Sequence, residues 1–162
     1  MAAGLRAAGG IGLSRLTAAM DIARRHPEPV IAGDVVDVLP GVLSSIPPHQ
    51  HIVVVDAYVA VFLPQDRRAR LAGILAQAGR DRPVTWLSLD PLVPLGPSGR
   101  DSVQGLPLPP ELIRDYQQGG VFAVLGARTF DGSGDHGHLL ARAHPSGGWI
   151  QWLSGEPAPA GR

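Results

Sequence analysis

Three acidic residues stand directly behind short apolar runs: Asp34 after "VIAG", Asp56 after "IVVV" and Asp90 after "TWLSL". In an open parallel sheet, ligands bind outside the carboxyl ends of the strands, where the loops diverge and helix amino termini point inward. If the three runs are neighbouring strands, Gly33-Asp34, Asp56 and Asp90 share one rim. There the carboxylates could accept hydrogen bonds from the hydroxyl or amine groups of a ligand. Asp is also a favoured N-cap, accepting from the free N–H groups of a helix and interacting well with its dipole, so capping alone is the favoured reading of each acid and the shared rim a positional hint.

Two further constellations could do chemistry. His144, in "HPSGG", is a candidate general base by residue type; the same setting reads as a strand end running into a turn. "DGSGDHGH" gathers Asp131, Ser133, Asp135, His136 and His138. An EF-hand counted from Asp131 needs a bidentate Glu at loop position 12, where this chain has Arg142, so the segment reads as a polar hairpin turn and no metal is expected. Trp149 and Trp152, three apart, point to opposite faces of a strand, one buried and one exposed. Tyr58 and Phe62, at i and i+4, are expected to pack on the sheet.

Composition removes many mechanisms. All 14 basic residues are Arg, which excludes a Lys-dependent P-loop or Schiff base. The chain has no Cys, so disulfides, thiolate catalysis and Cys-ligated zinc are excluded. No GxSxG, HExxH or GxxxxGK pattern occurs. The 14 acidic residues balance the 14 basic ones, which argues against nucleic acid or an anionic membrane surface as partner. With no apolar stretch approaching a membrane span and no signal-peptide core, the expected compartment is the cytoplasm.

The elements that must position these residues follow from periodicity. A length of 162 residues with 44% hydrophobic content suits one folded domain, expected over 13–153, with a flexible amino terminus over 1–12 and a disordered tail over 154–162. Leu13, Leu16, Met20 and Ala23 recur at helical spacing, predicting a helix from about 13 to 25. "PVIAGD" predicts a short strand. Val35, Val38, Leu39, Val42, Leu43 and Ile46 predict a one-sided helix, kinked at Pro40 or starting late with Pro40 in its first turn. "HIVVVD" is β-branched without polar alternation, as a strand covered on both faces would be. "PQDRRARLAGILAQAGR" predicts a helix with Leu71, Ile74, Leu75 and Ala78 on one face and Gly79 as its stop, and "PVTWLSLD" the next strand. Strand, helix, strand, helix, strand implies parallel pairing with right-handed crossovers. The Pro- and Gly-rich stretch from about 91 to 119 reads as a long loop. "GVFAVLGARTF", "HLLARAHP" and "GWIQWL" predict an antiparallel meander at one sheet edge. The fold class is α/β, Rossmann-like, with a partly parallel sheet and an antiparallel carboxy-terminal β-meander.

"RLTAAMDIARRHPEPVIAGDVVDVLP", "VVVDAYVAVFLPQDRRARLAGIL", "VTWLSLDP" and "ARAHPSGGWIQWL" together resemble the carboxy-terminal half of the bacterial domain-of-unknown-function 2332 family, over about residues 13 to 153. The ending His144-Pro145, Gly147, Trp149 and Trp152 is the most distinctive part. The resemblance implies a fold like that of class I S-adenosylmethionine-dependent methyltransferases. On that template the strand ending at Gly33-Asp34 approaches the adenine and the strand ending at Asp56 faces the methyl-transfer centre. The family usually has His followed by a small residue where this chain has Asp56-Ala57, and its amino-terminal half carries a "GASAGLN"-type glycine turn that would cradle the cofactor. Here "GGIG" at Gly9–Gly12 is the nearby glycine cluster, and no strand precedes it as the fingerprint requires.

Two functions of different class follow. One is a methyltransferase-like protein with S-adenosylmethionine as possible cofactor, Asp34 and Asp56 at the rim and His144 as a distant base. The other is a non-catalytic remnant or truncated domain that associates with a partner chain, or with copies of itself, to complete the sheet. The isolated chain is expected to be inactive.

Overall fold

The computed structural model describes residues 3–92 and 102–153. The chain forms two compact units, Met1–Gly33 and Asp34–Arg162.

The first unit is the helix α1 (Ala3–Arg25) followed by residues 26–33 in no regular element. α1 begins earlier than the periodicity predicts and takes in the glycine cluster at Gly9–Gly12. Leu13, Leu16, Met20 and Ile22 are all exposed. The strand expected at "PVIAGD" is not formed. Its apolar run is only three residues, it follows two prolines that lack N–H donors, and Val30 and Ile31 remain exposed.

The second unit is built on a five-stranded sheet in the order β1-β2-β5-β6-β7. Helix α2 (Val35–Ser45) leads to β1 (Ile52–Ala57), a short 3-10 turn at Ala60–Phe62, α3 (Gln65–Ala78) and β2 (Val84–Pro91). Strands β1 and β2 are parallel, Ile52 opposite Val84 and Ala57 opposite Leu89. Strands β5 (Ala123–Asp131), β6 (Gly134–Ala143) and β7 (Ile150–Trp152) follow as the antiparallel meander, with a bulge between Leu125 and Gly126. The fold class is thus α/β with a mixed sheet: among the described residues one pair is parallel, and every other pairing is antiparallel.

α2 runs through Pro40 without breaking, its Val36 and Leu43 buried. α3 follows Pro64 and buries Leu71 and Leu75, with Ile74 and Ala78 packed on the same core, as the pattern requires. Gly79 does end α3, but with φ near −65°, not in a left-handed cap. Its glycine is needed for another reason. A Cβ there would lie 2.5 Å from Phe130 Cβ, so helix and strand touch at this point.

Within the stretch read as loop, the described residues form β3 (Ser102–Val103), β4 (Leu106–Pro107) and α4 (Pro110–Gln117). Gln104-Gly105 makes the hairpin turn, and Pro110 at the first position starts an amphipathic helix that buries Leu112. The part of that stretch at 93–101 and the tail at 154–162 lie outside the described residues.

Strand alternation gives the sheet two different faces. The inner face carries Ile52, Val54, Val84, Trp86, Val124 and Phe130, and α2, α3 and α4 pack there. They form two cores, one with α2 and α3, the other with α4 and the β3–β4 hairpin. The outer face carries Val53, Val55, Leu87, Leu89 and Leu125 and contributes to neither core. The expectation of β1 covered on both faces is therefore not met: Val53 is 54% and Val55 69% exposed.

Candidate functional site: a polar seam at the end of the parallel strands

Asp56 and Asp90 are brought together. Asp56 stands opposite Ser88, and Asp90 follows two positions on, so all three lie on the inner face at the carboxyl end of the parallel pair. Trp86 Nε1 donates to Asp56 Oδ2 at 2.6 Å, and Ala60 N–H donates to Oδ1 at 3.3 Å. The half-buried Asp56 is therefore held by an indole and by the first turn after the strand, which is why a carboxylate survives in so apolar a run.

Around it lies a seam of buried polar groups between the two apolar cores. Ser88 is fully buried and Asp90 is 1% exposed. Among the described residues, Ser88 Oγ, Tyr58 Oη and Gln104 Oε1 are buried with no hydrogen-bond partner. Gln104 reaches in from the β3–β4 turn, its Nε2 donating to Trp86 O at 3.1 Å, and its side chain lies where a Cβ on Gly126 would have to go. Burial pushes the Tyr58 phenol above its ordinary value, and the negative charge of Asp90 adds to the shift.

Tyr58 (φ 61°) and Gln104 (φ 55°) are the two non-glycine residues with positive φ among those described. Each costs of order 1–3 kcal/mol. Both bring their side chains to the same seam, and such strain collects where a binding geometry over-determines the backbone.

Asp34 is elsewhere. No strand precedes it; it is the N-cap of α2, accepting from Val36 N–H at 2.9 Å and pairing with Arg67. That hydrogen bond, and then the Arg67 guanidinium, hold its carboxyl below the usual range. Gly33 (φ 151°) makes the bend before it. The rim of three acids is thus a pair, Asp56 and Asp90, plus a capping residue.

His144 follows β6, at the same end of the sheet as Asp90 but with β5 between them. Its Nδ1 accepts from Ser146 N–H at 3.1 Å, and its ring meets Trp149 edge-on at 6.2 Å, so it closes the β6–β7 turn. Trp149 and Trp152 are both exposed, against the expectation of one buried ring: Trp149 precedes β7 in the turn with His144, and Trp152 stands on the edge strand β7. Phe62 is exposed too and does not pack on the sheet, while Tyr58 enters the seam. The 131–138 segment is a polar hairpin: Asp131 accepts from the Ser133 amide and hydroxyl, and Asp135 pairs with Arg128. Among the described residues, no three His, Cys, Asp or Glu side chains group as a metal site, and no helix is long and apolar enough to cross a membrane.

Trp86 and Ser88, seam residues that motif reading overlooks, have a faint signal: with Asp90 they alternate with Leu87 and Leu89, so a period of two places the tryptophan and the two polar side chains on one face. Tyr58 and Gln104 have no such signal, because their contribution depends on backbone conformation.

No curated protein and no solved structure matches the chain. Residues 12–152 match the family described as an uncharacterized protein conserved in bacteria (DUF2332), and the chain belongs to that family.

Proposed function

We propose that this chain works as part of an assembly, contributing the acidic end of a sheet that a further polypeptide completes along β1. The observation that carries this reading is the state of that strand. β1 is at the edge of the sheet, and Ile52 and Tyr58 N–H donate to Pro83 and Leu89 O. By alternation, the N–H and C=O groups of Val53, Val55 and Ala57 therefore point away from β2, and the side chains of Val53 and Val55 are exposed beside them. Natural edge strands are blunted with charge, proline or a bulge; "IVVVDA" has one charge, at its end, and none of the other devices.

The family resemblance names what the completing segment would carry: the amino-terminal half with its glycine turn. This chain does not supply that turn, since Gly9–Gly12 lie inside α1. S-adenosylmethionine therefore does not fit the residues of this chain alone. A second reading, methyl transfer by the completed assembly, is supported by Asp56 and Asp90 at the carboxyl end of the parallel pair and by the unpartnered buried oxygens beside them. In that reading the acids accept hydrogen bonds from the ligand, and Asp34 serves α2.

Both readings are tested by isothermal titration with S-adenosylhomocysteine, on the chain alone and mixed with the separately expressed amino-terminal half of a longer family member. The association reading expects the two polypeptides to form a complex, and no complex would overturn it. The methyl-transfer reading expects heat only from the mixture, lost in Asp56→Asn. A complex that binds no S-adenosylhomocysteine would remove methyl transfer and leave the association standing.

A further inference from the structure

The stretch "ARAHPSGGWIQWL" does more than end the sheet. With the carboxyl end of α4 it shapes an open bay of about 420 Å³, at the edge of the sheet opposite β1. Pockets that hold small ligands span roughly 300–1,000 Å³. α4 and its cap contribute Asp115 and Gln118, β6 contributes Arg142, and the last turn and β7 contribute Trp149 and Gln151.

Local structure fixes these side chains. Arg142 ties three elements together: Nη1 donates to Asp115 Oδ2 on α4, Nε donates to Gln151 Oε1 on β7 at 2.8 Å, and the guanidinium carbon lies 5.8 Å from the centre of the Phe122 ring. Trp149 is braced edge-on by His144 and is still 43% exposed. Gly120 lets the chain close against the helix that carries Asp115, since a Cβ there would lie 2.8 Å from Asp115 O.

The chemistry of the lining selects a ligand by elimination. The one guanidinium of the bay is already paired with its one carboxylate, so neither an anion nor a cation finds an unpaired counter-charge. A wholly apolar ligand would cover the remaining polar atoms and leave them unpartnered. Those atoms are of both kinds: Asp115 Oδ1 accepts, Arg142 Nη2 and Gln151 Nε2 donate, and the Gln118 amide does both. A hydroxyl also does both, so a ring carrying several hydroxyls serves all of them. The C–H groups of such a ring, weakly positive, suit the negative face of the Trp149 indole. We infer that the bay binds a neutral saccharide, with Trp149 as its platform and Asp115, Gln118 and Gln151 as its hydrogen-bonding partners. His144 is then a positioning residue, acting through Trp149. The bay uses no residue of the seam and lies away from β1, so this inference stands or falls apart from the association and methyl-transfer readings.

The test is a proton–nitrogen NMR titration of the full chain, followed at the tryptophan indole N–H groups, with glucose, galactose, mannose and N-acetylglucosamine to about 50 mM. The expected result is a saturable shift at Trp149 with at least one of the four, with dissociation in the millimolar range, and none at the buried Trp86. Gln118→Ala, a change at an exposed cap, and Trp149→Ala should each weaken binding about fivefold or more and leave the rest of the spectrum in place. No saturable shift at Trp149 with any of the four sugars overturns the proposal, as does a bay that takes inorganic phosphate or adenosine in their place. Sugar binding that survives both substitutions would lie elsewhere on the chain and would overturn it as well.

Discussion

Trp86 Nε1 donates to Asp56 Oδ2 at 2.6 Å, from one strand of the parallel pair to the other. The bond explains two features at once: how Asp56 is tolerated at the end of "IVVVD", and why an indole sits in the core beside a carboxylate. Trp86→Phe keeps most of the buried volume and removes the donor. A hydrogen bond to a charged group contributes about 1.5–3 kcal/mol, and urea unfolding of the variant should show a loss in that range. In the Asp56→Ala background the same change should cost much less; equal costs in both would mean that the two side chains are not coupled.

The buried oxygens without partners give a result of opposite sign. Removing a buried hydroxyl that makes no hydrogen bond relieves a desolvation cost, so Ser88→Ala and Tyr58→Phe should leave stability unchanged or raise it by up to about 1 kcal/mol. A loss of more than about 1 kcal/mol in either would show that the oxygen is bonded. Tyr58 also carries a pH signature. Its folded pKa lies above the ordinary value of 10.0, so its contribution is complete below pH 10.0 and is lost as pH rises through the folded value. Spectrophotometric titration of wild type against Tyr58→Phe should show that phenol ionising late.

Acid stability runs the other way. Asp34, Asp131 and Asp135 are held below 3.8, by Val36 N–H and Arg67, by Ser133, and by Arg128 respectively. A carboxyl with a lowered folded pKa stabilises the fold above its unfolded value, and the contribution is lost as pH falls through the folded value. Thermal stability should therefore be flat with respect to these groups above about pH 5 and decline as pH falls below 3.8. Asp34→Asn, which keeps a capping side chain, should flatten that fall; an unchanged acid limb would remove Asp34 from the account.

Gly79 tests the contact between α3 and β5. Alanine is ordinarily the better helix residue, yet its Cβ would meet Phe130 Cβ at 2.5 Å and its backbone carbon at 2.9 Å. Gly79→Ala should cost about 1–3 kcal/mol through overpacking. Gly73→Ala, in the same helix with nothing within 4 Å of its Cβ, should be neutral or stabilising. If the two variants behave alike, close approach is not the reason for Gly79.

How far the sequence reaches depends on which kind of information an element uses. α2, α3, β1, β2 and the meander follow from side-chain periodicity, and the capping role of Asp34 was open from its position ahead of an apolar helix. The strand at "PVIAGD" failed because a strand is defined by its partner, and propensity does not reveal whether one exists. The hairpin at Gln104-Gly105 and α4 lie in a stretch whose prolines look like loop. Pro110 instead begins a helix. The sequence places Asp34, Asp56 and Asp90 on one rim, and the structure keeps Asp56 and Asp90 at one end of the parallel pair and makes Asp34 a helix cap; Tyr58 and Gln104 are beyond reach, because positive φ at non-glycine residues leaves no trace in composition.

The most direct test of the association reading is amide hydrogen exchange at Val53, Val55 and Ala57, measured on the chain alone and with the amino-terminal half of a longer family member added. The expected result is rapid exchange at these three amides alone and strong protection in the mixture, with Ile52 and Val54 protected in both. Exchange at Val53 and Val55 that is already slow in the isolated chain, or that stays fast when the second polypeptide is present, would contradict the proposal that β1 is the edge at which the sheet is completed.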